Sequence, residues 1–212
     1  RLSNQGKEKN SGEWSPEVEA ELFRCRFEGV VEEMGELLRR TAMSPNVKER
    51  LDFSCALLDA EGKLVVNAPH IPVHLGALGL CVRTVSRGRE WREGDMVIVN
   101  HPAFGGSHLP DVTLVSPVFI KGRLTAFVAN RAHHAEIGGR TPGSMPASAC
   151  SLEEEGVVLS PELLFDGGES RFHVIEEIFR SSKYPSRMLD NNLADLSAQV
   201  AANHHGVRRM KE

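Results

Sequence analysis

The chain has 212 residues, with 25 Lys and Arg against 29 Asp and Glu, a formal net charge of −4. This acidic balance argues against a general role in binding nucleic acid or anionic membranes, since both need a basic face. Hydrophobic residues make up 41% of the chain, enough for a real core, but no apolar run approaches the roughly 20 residues that span a bilayer. Four scattered cysteines form no CxxC pair, which disfavours disulfides and favours a cytoplasmic location. We therefore expect neither nucleic-acid nor membrane partners.

The first helix is signalled by its N-terminal residues. Residues 1–14 are polar and are expected to form a disordered tail. Ser15 as the cap and Pro16 at the first helical position then predict a helix that runs to about residue 40 on an apolar stripe. Residues 15–212 are expected to form one domain.

Strand and helix patterns follow each other irregularly through the rest of the chain. Strands are predicted at 51–59, 63–68, 95–100, 112–120 and 123–132. The first two and the last two form hairpins, the latter through Lys121-Gly122. Helices are predicted at 75–91, 174–182 and 190–209, the last with Leu193, Leu196, Val200 and Val207 on one side. This order predicts an α+β fold with a mixed or antiparallel sheet, an N-terminal helix and C-terminal helices.

Polar residues cluster at the ends of the last predicted hairpin. His108 and Asp111 precede its first strand, and His133 and His134 end its second. If the strands pair, His108 and Asp111 lie beside His133 or His134 at one edge of the sheet. Two imidazoles and a carboxylate form a ligand set for Zn, Mn or Fe. The alternative is that these are surface or satisfied core histidines, because H-x-x-D also occurs by chance.

Three further features have two interpretations each. His74, in "PHIPVH", either belongs to the same pocket or packs a proline-rich turn. Asp52, in an otherwise apolar strand, needs a partner, which is either a metal or a basic side chain. The loop 138–146 is either a plain structural loop or a cradle whose backbone amides hold an anion. It lacks the G-x-x-x-x-G-K-[ST] spacing of a nucleotide loop.

Six motifs occur in order along the chain: "SPNVKERLDFSCALLDAEGKLV", "APHIPVHLGA", "NHPAFGGSHLPDVTLVSPVF", "VANRAHHAEIGGRTPGSMP", "EEEGVVLS" and "NLADLSAQVAANHHG". Together they cover roughly residues 44–206 and resemble the hydantoinase B / 5-oxoprolinase family. The second and third motifs look closer to the C-terminal half of 5-oxoprolinase than to typical hydantoinase B subunits.

This resemblance implies an ATP-dependent hydrolase of cyclic amides such as 5-oxoproline, hydantoins or lactams. In the family, an A-type partner subunit or domain binds ATP and phosphorylates the amide oxygen, and the B part completes ring opening with water. The resemblance therefore implies a hetero-oligomer, with ATP on the partner and a divalent metal on this chain. The family's metal site carries over to His108, Asp111 and His133, with Asp52 as a further ligand.

Roles for the remaining candidates depend on that hypothesis. Glu155 or Glu136 would serve as general base if it reaches the attacking water, and either is otherwise a solvated carboxylate. His134 would orient His133 or contact substrate. Backbone amides in the 138–146 loop would hold the phosphate or oxyanion of the activated intermediate. The substrate side is assigned to His74, Gly139, Gly143 and Ser144.

The sequence departs from the family pattern at two points. Glu136 stands where the family usually has Asp after "HHA". The chain also ends at Glu212, whereas B-type subunits continue for a long further stretch, so we expect a short member or a fragment that corresponds to the N-terminal part of the family's length. Two other functions stay open: an ATP-dependent ketone carboxylase of the acetone or acetophenone type, and a catalytically inactive chain that binds or regulates the A-type subunit.

Overall fold

The computed structural model describes residues 14–69 and 75–212, which form one seven-stranded sheet and six α-helices. The predicted disordered tail lies almost wholly outside the described residues. The helices are α1 (Pro16–Thr41), α2 (Pro45–Lys48), α3 (Leu75–Ser86), α4 (Leu152–Glu155), α5 (Phe172–Ser181) and α6 (Leu189–Arg209). The strands are β1 (Phe53–Asp59), β2 (Leu64–Pro69), β3 (Met96–Val99), β4 (Asp111–Ile120), β5 (Arg123–His133), β6 (Glu162–Asp166) and β7 (Glu169–Ser170). Within this part of the chain, no helix has both the length and the apolar character needed to cross a membrane.

The sheet has the strand order β2-β1-β5-β4-β3-β6-β7, and every pair of neighbours is antiparallel. The α+β prediction is confirmed, and the sheet is antiparallel rather than mixed. Both predicted hairpins are present, as β1–β2 and β4–β5. The β4–β5 turn places Lys121 and Gly122 at φ values of 51° and 75°, the left-handed conformation of a two-residue hairpin loop.

Helices cover both faces of the sheet, and successive strand residues alternate between the two faces. On one face, Phe53 and Val128 pack in a cluster with α1 and α6, and a neighbouring cluster joins β3 and β4 to α5 and α6. On the other face, Phe127 packs with Leu78 of α3. The sheet is therefore the middle layer, and the odd-numbered positions of β4, and those of β5 from Phe127 onward, face α3.

The ends of the helices follow capping and packing rules. The Ser15 side chain accepts the Val18 N–H, and Pro16 begins α1, as predicted. The prediction that α3 extends to about residue 91 is wrong, because the helix ends at Ser86. The chain turns at Gly88 with φ of 69°, and Trp91 then packs edge-on against Phe127 with ring centroids 5.3 Å apart. Trp91 thus packs against Phe127 of β5 and does not continue α3.

Gly29 in α1 provides a test of helix packing. A Cβ at this position would meet nothing within 4 Å. Because a helical glycine costs about 0.5–1 kcal/mol relative to alanine, we expect Gly29→Ala to raise the free energy of unfolding in urea by about that amount. Gly206→Ala in α6 is the matched control, since its Cβ would lie 2.4 Å from Met34 Sδ and should destabilise the protein. Equal effects of the two substitutions would contradict the α1–α6 packing.

Candidate metal centre

Strand pairing brings the three predicted ligands together. Asp111 opens β4 and lies directly opposite His133, the last residue of β5. His108 lies in the preceding turn, where its carbonyl oxygen accepts the Asp111 N–H. Asp111 Oδ2 lies 2.8 Å from His108 Nδ1, and Asp111 Oδ1 lies 3.1 Å from His133 Nδ1. One ligand atom from each residue lies within 4.8 Å of the others.

The charge at the centre of this cluster is the fully buried Asp111 carboxylate. Burying an ionised carboxylate is costly unless a cation or hydrogen-bond donors surround it. The imidazoles of His108 and His133 lie against the Asp111 carboxylate. The short contact with Asp111 raises the pKa of His108 above its ordinary value, although partial burial acts in the opposite direction. The His133 and His108 side chains are 17% and 37% exposed, so the cluster is open to solvent on its histidine side.

Asp52 lies beside the cluster, immediately before β1. Its carbonyl oxygen accepts the His133 N–H at 2.9 Å, and its Oδ2 lies 3.9 Å from His133 Nδ1. The side chain of Asp52 is 26% exposed. Asp52 is therefore near enough to add a second carboxylate to the centre, although it is outside the tight group of three.

The turn that carries His108 depends on two glycines. Gly105 has φ of 83°, and a Cβ there would lie 2.7 Å from the backbone nitrogen of Cys81 in α3. A Cβ on Gly106 would lie 2.3 Å from the carbonyl oxygen of Asn100, just after β3. Because neither position has room for a side chain, glycine is what lets this turn pack closely between α3 and the end of β3.

Arg131 is a buried cation beside the cluster, and the sequence patterns did not predict it. It lies on β5 two residues before His133, so both side chains face the same side of the sheet. Its side chain is fully buried. It donates to Thr113 Oγ1 at 2.8 Å, to Ser107 Oγ at 3.2 Å and to the Gly105 carbonyl oxygen at 2.8 Å. The signal in the sequence was a charged residue that closely follows the apolar run 126–129 inside the predicted strand 123–132.

His134 directly follows β5 and lies on the other face of the sheet, beneath α6. It is fully buried, with Nδ1 3.0 Å from Asn192 Nδ2 and Nε2 3.0 Å from Gln199 Oε1. Asn192 Nδ2 also donates to the Glu136 carbonyl oxygen, which fixes the orientation of that amide. His134 Nδ1 must then accept, so the ring proton lies on Nε2. Burial lowers the pKa of His134, in keeping with a neutral ring. Of the two histidines that the sequence left open, the structure brings His133 to the cluster.

The two predicted general bases lie in different surroundings. Glu136 is buried, and its carboxylate accepts the N–H groups of Gly138 and Arg187, with the Arg187 guanidinium 3.5 Å away. These contacts join the loop after β5 to the segment before α6. Glu155 ends α4, and its carbonyl oxygen accepts the Met145 N–H. Within the described residues, these contacts tie Glu136 and the Glu155 main chain to the loop and not to the cluster.

The 138–146 loop uses much of its backbone hydrogen bonding inside the protein. The Gly139 N–H donates to a carbonyl oxygen before α6, and the Ser144 N–H donates within the loop. The Ser144 hydroxyl is also engaged, since it donates to the Gly138 carbonyl oxygen at 2.6 Å. Several of the loop amides predicted to hold an anion, among them those of Gly139 and Ser144, are thus committed to protein acceptors. His74, the other predicted substrate residue, lies outside the described residues.

Fold and cluster together define an α+β domain with a candidate divalent-metal centre at one end of the paired interior strands β4 and β5. A model of the family described as hydantoinase B/oxoprolinase matches residues 16–212. The chain therefore belongs to that family, as its six motifs indicated.

Similarity to individual proteins covers most of this chain but little of its relatives. It is 48% identical to a 5-oxoprolinase of Dictyostelium discoideum over 194 residues, which are 90% of this chain and 15% of that protein. An ATP-dependent caprolactamase from Pseudomonas jessenii superimposes with a TM-score of 0.82 at 29% identity, covering 93% of this chain and 34% of that chain. An acetone carboxylase gives the same TM-score at 20% identity over 92% of this chain and 26% of that chain, which shows a shared fold alone.

Proposed function

We propose that this chain carries the metal centre of an ATP-dependent hydrolase that opens cyclic amides such as 5-oxoproline, hydantoins or lactams. The observation that carries the proposal is the buried Asp111 carboxylate held between the imidazoles of His108 and His133. Relatives named 5-oxoprolinase and ATP-dependent caprolactamase support the substrate class, because 5-oxoproline and caprolactam are both cyclic amides.

The donor set fits a divalent transition metal. Two imidazole nitrogens and one carboxylate oxygen suit Zn²⁺, Mn²⁺ or Fe²⁺, and three protein ligands leave positions for water or substrate. Asp52 is near enough to act as a fourth protein ligand after a small side-chain movement. A bound divalent cation would supply polarisation of the amide carbonyl or a lowered pKa for a water molecule.

The chain's own residues hold and orient these groups. Asp111 contacts both imidazoles, and His133 is further fixed by its backbone hydrogen bond to Asp52. His108 is the more exposed histidine and lies on the side from which a substrate would approach. Of the two predicted general bases we favour Glu155, because the Glu136 carboxylate is engaged in buried hydrogen bonds.

ATP chemistry is assigned to a partner. The sequence has no Walker-type loop, and the chain spans 15% of the 5-oxoprolinase that it matches. We therefore infer that an A-type ATP-binding partner activates the amide, and that the working enzyme is a hetero-oligomer with this partner as a separate subunit. The 138–146 loop would contribute to substrate binding mainly by its shape, since two of its candidate amides are already engaged.

The proposal is tested by metal analysis and by turnover in the assembled enzyme. Purified chain, freed of metal with a chelator, is expected to take up one divalent ion per chain, and His108→Ala is expected to lose it. With the A-type subunit and ATP, we expect ring-opened product from 5-oxoproline, hydantoin or caprolactam, abolished by the chelator and restored by Zn²⁺, Mn²⁺ or Fe²⁺. Chain that binds no such ion, with no effect of His108→Ala, would refute the metal centre.

The same assay separates the alternative functions. Products from acetone or acetophenone with bicarbonate, and none from cyclic amides, would identify a ketone carboxylase. The likeness to acetone carboxylase does not support that activity, because it shows a shared fold alone. Capture of the A-type subunit without turnover of any of these substrates would identify a binding or regulatory chain.

A further inference from the structure

Arg131 connects the three segments that carry the candidate ligands. Its Nε donates to Thr113 Oγ1 on β4, two residues after Asp111. Its Nη1 and Nη2 donate to Ser107 Oγ and to the Gly105 carbonyl oxygen, in the turn that ends at His108. Arg131 itself lies on β5, two residues before His133. One guanidinium thus spans β5, β4 and the glycine turn.

Several acceptors hold the guanidinium of this buried residue at once. The Arg131 side chain is fully buried; its acceptors include two hydroxyls and a backbone carbonyl, and it also lies beside the Cys81 thiol of α3. Burying a guanidinium is costly unless hydrogen-bond acceptors surround it, as they do here. The planar fork of arginine fixes several acceptors at once, which a lysine ammonium at the end of a flexible stem does not do.

The turn needs such a support because it is an irregular segment. His108 lies between a 3-10 turn at Pro102–Phe104 and the start of β4, outside the hydrogen-bond ladder of the sheet. Asp111 and His133, by contrast, are fixed opposite each other by strand pairing. Apart from the hydrogen bond that its carbonyl oxygen accepts from the Asp111 N–H, the position of His108 relative to the other two therefore depends on what holds the turn in place.

We propose that Arg131 is a positioning residue for the metal centre: its guanidinium holds the Gly105–Ser107 turn against β4 and β5, and so sets the distance of His108 from Asp111 and His133. Side chains that orient metal ligands from outside the coordination sphere typically change metal affinity by about 10–100-fold when they are replaced. The inference rests on the proposed metal centre, and it concerns how that centre is preorganised.

Arg131→Lys is the direct test, with Arg123→Lys as the matched control. Both residues lie on β5 and both substitutions keep the positive charge, but Arg123 is exposed at the other end of the strand. Measured by competition with a chromophoric chelator, the affinity for Co²⁺ is expected to fall about 10–100-fold in Arg131→Lys and to stay unchanged in Arg123→Lys. The visible absorption of bound Co²⁺ should also change in Arg131→Lys, because a displaced His108 alters the ligand field.

Ser107→Ala keeps the test decisive if Arg131→Lys does not fold. It removes one acceptor of the fork and leaves the arginine in place, so we expect about a two- to tenfold loss of Co²⁺ affinity, with the same direction of change in the spectrum. A purely structural role for Arg131 would lower the melting temperature of the metal-free protein and leave the Co²⁺ spectrum unaltered.

The outcomes separate this inference from the function on which it rests. Wild-type chain that takes up no Co²⁺ would remove the metal centre itself. Wild-type chain that binds Co²⁺, together with Arg131→Lys or Ser107→Ala proteins of unchanged affinity and spectrum, would leave the centre standing and overturn the positioning role of Arg131.

Discussion

Asp111→Asn is expected to lower the affinity of the chain for Zn²⁺ or Co²⁺ by more than about a hundredfold. Asp111 is the carboxylate of the cluster, and its two oxygens contact the two imidazoles. Replacement of residues that only orient ligands costs about 10–100-fold in metal affinity, so loss of a charged ligand should cost more. Asparagine has nearly the same shape, and the β4–β5 pairing at this position should persist. A competition titration with a chromophoric chelator measures the change.

The same substitution should also separate metal binding from folding. A ligand that binds only the folded state stabilises it by about 2.7 kcal/mol at a free concentration one hundred times its dissociation constant. We expect Zn²⁺ to raise the melting temperature of the wild-type chain and to leave that of Asp111→Asn unchanged. Asp190→Asn, at an exposed position in α6, is the control and should respond to Zn²⁺ like the wild type. An Asp111→Asn protein within threefold of wild-type affinity would exclude Asp111 as a ligand.

The location of the centre could be predicted because a hairpin brings the start of one strand beside the end of the next. The choice between His133 and His134 could not. Near the turn, Ile120 pairs with Arg123, but the register shifts between Val118 and Phe119. Without that irregularity, Asp111 would oppose Ala132, and His133 would face away from it. Because a one-residue slip exchanges the two faces of a strand, this local bulge decides which histidine joins Asp111.

The surroundings of the centre were harder to foresee than its location. The period of apolar residues in α6 correctly marked Leu196 and Val200 as inward-facing, and both are buried. The same pattern did not predict that Asn192, Gln199 and Asn203 are buried, although all three are. Hydrophobic periodicity treats a polar residue as solvated, whereas a buried amide depends on partners that are distant in sequence. The buried Arg131 escaped prediction for the same reason.

Gln199 lies at the centre of this buried polar network between α6 and the sheet. Its Oε1 accepts from His134 Nε2, and its Nε2 donates to the Val112 carbonyl oxygen and to Asn130 Oδ1 at 2.9 and 2.8 Å. Asn130 in turn donates to the Gln199 carbonyl oxygen and to Asn203 Oδ1. The side chains of this network are hydrogen-bond partners of one another, so loss of one amide leaves several buried groups unpaired.

Gln199→Met is therefore expected to destabilise the protein by about 3–5 kcal/mol, since each buried group left without a partner costs about 1–3 kcal/mol. Methionine matches glutamine in length and in helix propensity, so the change isolates the amide. The measurement is urea unfolding of the metal-free chain, extrapolated to water. Ser197→Ala, at an exposed position in the same helix, should change stability by less than about 0.5 kcal/mol. If Gln199→Met matched Ser197→Ala, the network would add no net stability, and its role would be limited to fixing the tautomer of His134 and the seating of α6.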